Sequence, residues 1–301
     1  MNKKIELSPV LLLIAGLLIS VGMVIIFQSL AMVLTVPIFG IPMKDLASLT
    51  KNPAYVHATR FIQFVTQIGW FFVSIWLIIR LYIPKPFEYF GIRLPQPYAI
   101  WVLALAGMLT IQVLVGWTAQ VNAKIPLPDA LVRMEKDAET VTNLFLKAEN
   151  VWILLVNLLI IALVPGIGEE LFFRGFMQNT LLKVAHHHVA IWVTAAVFSA
   201  IHFQFMGFIP RIILGAYLGY LAYYGKSILP SMLAHTFNNG MQVLMVYLNQ
   251  DLLGMSVDDP KNQTFTLWDI FVSVILTVFT LVMVAYLSNR FSENKFAEPV
   301  N

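Results

Sequence analysis

Cysteine is absent from the 301 residues, which excludes disulfides, thiol nucleophiles and zinc sites built on thiolates. Charge is scarce. Only 12% of the residues are Asp, Glu, Lys or Arg while 59% are hydrophobic, whereas a soluble domain carries roughly 25% charged residues. That balance, with a mean hydropathy of +0.78, excludes an ordinary globular protein. The net charge of +3 is small and dispersed, so nucleic acid is not an expected partner. A zincin H-E-x-x-H pattern is also missing, so no single helix turn offers two His and a Glu to a metal. No internal repeat, low-complexity tract or second domain is evident. The apolar run from Pro9 to Val36 is much longer than the roughly 7–15 residues of a signal-peptide core, and no small-residue cleavage site follows it. It reads as an uncleaved first span.

What is present is a series of apolar segments near the roughly 20 residues that a helix needs to cross a bilayer. Eight spans are expected, at 9–36, 61–80, 98–121, 151–183, 189–205, 211–225, 228–249 and 267–289. The fold expected is an all-α, polytopic membrane protein of about eight transmembrane helices, forming one membrane domain around an intramembrane polar active site. Within it, 1–150 is a three-span region with a polar loop. Residues 151–249 form the catalytic core, and 250–301 hold an acidic loop (Asp251, Asp258, Asp259), the last span and a polar tail. The polar stretch 122–150 reads equally as an interfacial helix or as a solvated loop. Pro165-Gly166 is expected to break or kink the fourth span. Gly215-x-x-x-Gly219 reads as a close helix packing seam. Lys and Arg counts on the two faces nearly tie, and lean weakly to cytoplasmic termini.

Three polar clusters interrupt these apolar segments: Glu169-Glu170-x-x-x-Arg174, Phe198-x-x-x-His202 and His235-x-x-x-Asn239. Ionisable groups at bilayer depth are costly and tend to face an interior cavity with partners. Glu169 lies fourteen residues before Lys183, about 21 Å along a helix. His202 lies a similar distance from His188, and Asn239 about 20 Å from Lys226, by the same rise. Three antiparallel segments thus bring their polar groups to one level. Glu170 and Arg174 share a helix face four residues apart and are expected to pair. Glu169 points about 100° away around the helix and is the carboxylate expected to face the other spans.

Carboxylates removed from water hold protons more tightly, which suits them to general-base work near neutral pH. Imidazoles orient water, hold metal or protonate a leaving amine. An amide N–H can stabilise an oxyanion. Amide hydrolysis is therefore chemically complete at Glu169, His202, His235 and Asn239 without Ser or Cys. Phe198 and Phe172-Phe173 read as packing around such a site. His186-His187-His188 reads as a solvated turn rather than a metal site, because consecutive helical residues point different ways.

At these three motifs the chain resembles the CAAX prenyl protease and bacteriocin-processing family (CPBP, also called Abi) of intramembrane proteases. Its pattern is E-E-x-x-x-R, F-x-x-x-H and H-x-x-x-N/D, in that order, and the resemblance covers about 155–245. It implies a multi-pass endopeptidase in which Glu169 activates water with His202 as its partner. His235 and Asn239 would form the oxyanion site, and Glu170 and Arg174 would support the architecture. The family has been described both as metalloprotease-like and as using a metal-free glutamate. Any zinc would need ligands from separate spans, namely Glu169, His202 and His235. The expected partners are the lipid bilayer and a membrane-associated peptide or protein, lipidated or not, such as a CAAX-like tail or a leader peptide. The expected location is a prokaryotic cell membrane. Two other functions fit the same residues: a non-catalytic immunity or scaffold protein of the same fold, and a proton-coupled transporter using Glu169 and Glu170 as a relay.

Overall fold

The computed structural model describes residues 4–248 and 264–297; Asp251, Asp258 and Asp259 of the expected acidic loop lie outside these, while the stretch after 289 expected as a polar tail continues as helix to Ala297. Among the described residues the structure is helical, with no strand. The principal helices are α1 (Pro9–Phe39), α2 (Pro53–Tyr82), α3 (Ala99–Ala123), α4 (Asp129–Leu146), α5 (Val151–Leu181), α6 (His187–Ala200), α7 (Phe208–Tyr224), α8 (Leu229–Tyr247) and α9 (Leu267–Ala297). Helices α1, α2, α3, α5 and α9 are long and apolar enough to cross a membrane. The chain is an integral membrane protein. The other three expected spans, α6, α7 and α8, are helices of 14, 17 and 19 residues, about 21–29 Å long by helical rise. The polar stretch 122–150 forms a helix, α4, with no buried residue.

The chain divides into two compact units. The first comprises Met1–Pro86, Leu127–Phe172 and Asn239–Ser256; the second comprises Phe87–Pro126, Phe173–Asn238 and Val257–Asn301.

In the first unit, α1 starts at an N-cap Ser8 with Pro9 in its first turn and stops at Gly40, whose φ of 65° is left-handed. Its exposed positions are large and apolar, such as Leu18, Ile25 and Val33, while Gly16, Ser20, Ala31 and Thr35 are buried. That is the membrane pattern, in which small residues let helix backbones approach while bulky ones meet lipid. Both α2 and α5 carry wide π turns, at Ile68–Val73 and Leu158–Leu163 respectively. Gly168 of α5 lies against Phe71 of α2, whose Cβ would stand 2.6 Å from any Cβ added there. The buried Arg60 of α2 donates to the carbonyls of Phe145 (3.2 Å) and Lys147 (2.8 Å) at the end of α4. A cation at a helix C-terminus satisfies orphan carbonyls and complements the dipole.

In the second unit, α6 packs on α7, and α9 on α3. Thr110 Oγ1 bonds Thr277 Oγ1 at 3.0 Å and Ser273 Oγ donates to the Thr110 carbonyl at 2.6 Å. The core between them includes Ile100, Ala104, Met108, Tyr217, Leu221 and Val284. Tyr217 Oη, buried there, donates to the Ala104 carbonyl at 2.6 Å, so burying the hydroxyl leaves no orphan polar group.

Candidate active site

The Phe198 ring brings together residues from all three motifs within the second unit. Its centroid lies 5.0 Å from the His202 ring and 5.8 Å from the His235 ring, both edge-on. The Arg174 guanidinium carbon stands 5.0 Å from the same centroid, and Phe173 meets it edge-on at 5.2 Å. An aromatic face attracts cations, and edge-on contacts suit its quadrupole. Phe198 therefore packs against the chemical groups, as the sequence reading has it, and does so for three of them at once, with Phe173 beside them.

His202 does not lie inside a helix, contrary to the expectation of a span over 189–205. Helix α6 ends at Ala200. A further helical turn would bring the His202 N–H to the Phe198 carbonyl. Instead that N–H donates to Ser199 O at 3.3 Å, and the imidazole Nδ1 lies 2.7 Å from Phe198 O. The side chain takes the backbone's place and ends the helix, which gives the ring a defined tautomer with Nδ1 as the donor. Phe203 follows in the left-handed region, at φ 51°.

Arg174 is 1% exposed and its Nη2 donates to the Gly215 carbonyl at 2.8 Å. One turn later Gln178 Nε2 donates to the Gly219 carbonyl at 3.0 Å. Two side chains four apart on α5 thus meet two glycine carbonyls four apart on α7. The glycines admit this approach. A Cβ at Gly215 would stand 3.1 Å from that of Ala195, and one at Gly219 would stand 2.7 Å from Gln178 Oε1. The expected packing seam is present, and it also receives the arginine.

In the first unit, Glu169 is 9% exposed and Glu170 is fully buried. Both lie in the α-helical turn Val164–Glu170, between the π turn at 158–163 and another over Leu171–Gln178. Such wide turns concentrate at functional sites. Of the break or kink expected at Pro165-Gly166, the break does not occur: α5 runs on through both residues. Pro165 has no N–H to give the Ile161 carbonyl four residues earlier. The wide turn relaxes the backbone there, and Asn239 Nδ2 donates to that carbonyl at 3.3 Å. One amide N–H of Asn239 thus has a structural task that the oxyanion assignment did not foresee.

Reasoning from the sequence missed two polar residues on α3. Asn122 donates to Phe205 O at 2.7 Å and accepts from the Ile209 N–H at 2.8 Å, which pins the loop after His202. Gln112 Nε2 donates to Asn238 Oδ1 at 3.0 Å. Both sit inside a span otherwise apolar enough to look like packing, and their polarity was the available signal. The histidine tract is solvated, as expected, with His186 and His188 exposed at the start of α6, although the ligand nitrogens of His186, His187 and His188 do not diverge and lie within 4.8 Å of one another. His188 Nδ1 lies 2.7 Å from Tyr220 Oη.

No curated protein and no solved structure matches the chain. A family model does: residues 150–241 match that of the type II CAAX prenyl endopeptidase Rce1-like proteins. All three motifs fall inside the matched segment, as the resemblance implied. The family is a protease family, and this membrane chain is similar to it over residues 150–241.

Proposed function

We propose that the chain is an intramembrane endopeptidase that hydrolyses a peptide bond of a membrane-associated protein or peptide, using water activated by Glu169. The observation that carries this reading is the family match over 150–241, with every motif residue in place. Glu169 takes the proton of the attacking water. His202, with Nδ1–H engaged by its own helix end, accepts at Nε2 to orient that water, and the protonated Glu169 passes the proton it took on to the leaving amine. His235 and Asn239 steady the oxyanion, and Glu170 and Arg174 hold the architecture. A CAAX-like C-terminal tail is the substrate class that the family description suggests, in a prokaryotic cell membrane.

The chemistry of the donor set fits a metal. One carboxylate (Glu169) and two imidazoles (His202, His235) match the His/His/Glu ligands of catalytic zinc, which lowers the pKa of its bound water. The reading favoured here is the metal-free one, in which Glu169 meets water directly. Purified protein is expected to hold less than one zinc per chain and to keep its activity after chelation. Loss of activity restored by zinc would make the three residues metal ligands.

The direct test is cleavage of membrane-anchored peptides by reconstituted protein and its Glu169→Gln variant. Removal of a general base costs about 10²–10⁴ in rate. A Gln variant of unchanged thermal stability that cleaves as fast as the parent would overturn the assignment.

A further inference from the structure

The second unit also holds a cavity of about 370 Å³ that no motif residue lines. This lies within the roughly 300–1,000 Å³ of ligand sites. Its walls carry the cations Arg93, Lys183 and Lys226 and a single carboxylate, Glu88, so the formal balance is three positive against one negative. The lysines follow the ends of α5 and α7, and each helix C-terminus contributes roughly −0.5 of charge. About one positive charge survives that subtraction. The cavity is suited to an anion.

The walls are built rather than incidental. Ser227 Oγ donates to Arg93 O at 2.6 Å, the Ile228 N–H donates to Gly91 O at 3.1 Å, and Arg93 Nε bonds the Lys226 carbonyl. These bonds clasp two loops into one rim. Tyr89 is held from both ends, its hydroxyl 2.5 Å from Thr180 Oγ1 and its carbonyl accepting from Asn179 Nδ2 at 2.9 Å. Its ring carries the Lys183 ammonium 4.0 Å from the centroid. Partial burial there lowers the Lys183 pKa, a cost that a bound anion offsets. Lys226 has a φ of 52°. A lysine kept in a conformation that suits glycine or asparagine points to use of its side chain.

We propose that this cavity binds the phosphate group of an anionic membrane lipid. Lys183 stands two residues beyond the end of a membrane-spanning helix, Leu181, which is headgroup level. Tyr89 and Tyr223 line the same cavity, and aromatic residues of this kind gather at that level. Basic pockets between helices at this height take lipid phosphates. Free phosphate offers the same chemistry without the lipid anchor. The proposal does not depend on the proteolytic reading, because its test measures binding rather than cleavage.

The test uses the full chain in phosphatidylcholine nanodiscs containing increasing phosphatidylglycerol, with bound lipid counted by native mass spectrometry. Three variants are compared: Lys183→Gln, Lys226→Asn, which keeps a residue at ease with positive φ, and Lys136→Gln on α4 as a charge-matched control. Each pocket variant is expected to lose roughly fivefold in affinity for phosphatidylglycerol, with Lys136→Gln unchanged. Equal affinity in wild type and both pocket variants overturns the site. So does an equal loss in the control, which would mean diffuse charge. Full displacement of the lipid by inorganic phosphate overturns the lipid assignment in favour of a free phosphate.

Discussion

At Phe198 one ring meets two imidazoles and a guanidinium. Arg174 has a second anchor in the Gly215 carbonyl, and a buried cation without its partners is expensive. Arg174→Lys keeps the charge but loses the planar fork. It is expected to lower stability by about 1–3 kcal/mol, read as a fall in the thermal midpoint in detergent. A midpoint equal to wild type would mean the guanidinium geometry is immaterial. The sequence identified Arg174 and His202 as site residues from their cost in an apolar segment. It did not show that His202 ends a helix, because Phe198 and His202 at four-residue spacing read as one helix face. Only the imidazole's competition with its own backbone N–H for the Phe198 carbonyl decides the matter.

At the scale of the helix, the seam between α5 and α7 is an alignment of two i, i+4 pairs. Gly219→Ala would drive a methyl against Gln178 Oε1 and Ile191. It is expected to cost about 1–3 kcal/mol, and a thermal midpoint unchanged from wild type would contradict that packing. Gly215 and Gly219 were legible as a seam from spacing alone, whereas their carbonyls' partners were not, since those lie about 40 residues away in the chain. Pro165 teaches the opposite lesson. Proline chemistry suggested a break, but a wide turn and the Asn239 amide accommodate the missing N–H. If Asn239 serves that carbonyl, a double-mutant cycle should show it. Asn239→Ala alone is expected to cost about 1–3 kcal/mol, and less in a Pro165→Ala background, where the backbone N–H is restored. Additive losses would separate the two residues.

For the whole molecule, the eight crossings expected from the sequence would put both ends of the chain on one side of the membrane. Reporter fusions at Met1 and at Asn301 are expected to indicate the same compartment, and opposite compartments would exclude an even count. The five long apolar helices carry hydropathies of 1.8 to 3.0, which sequence windows detect directly. Helices α6 and α8 are not among them: α6 has 14 residues, and α8 carries His235, Asn238 and Asn239 among its 19.

The sequence by itself determined a membrane protein of helices and located the expensive polar residues, because bilayer insertion penalises charge residue by residue. It also carried the family pattern, which needs only order and spacing. The tertiary structure decided where helices end, which carbonyl each buried donor reaches and which distant loops close a basic cavity. Those depend on hydrogen bonds between segments far apart in the chain. No local pattern encodes them.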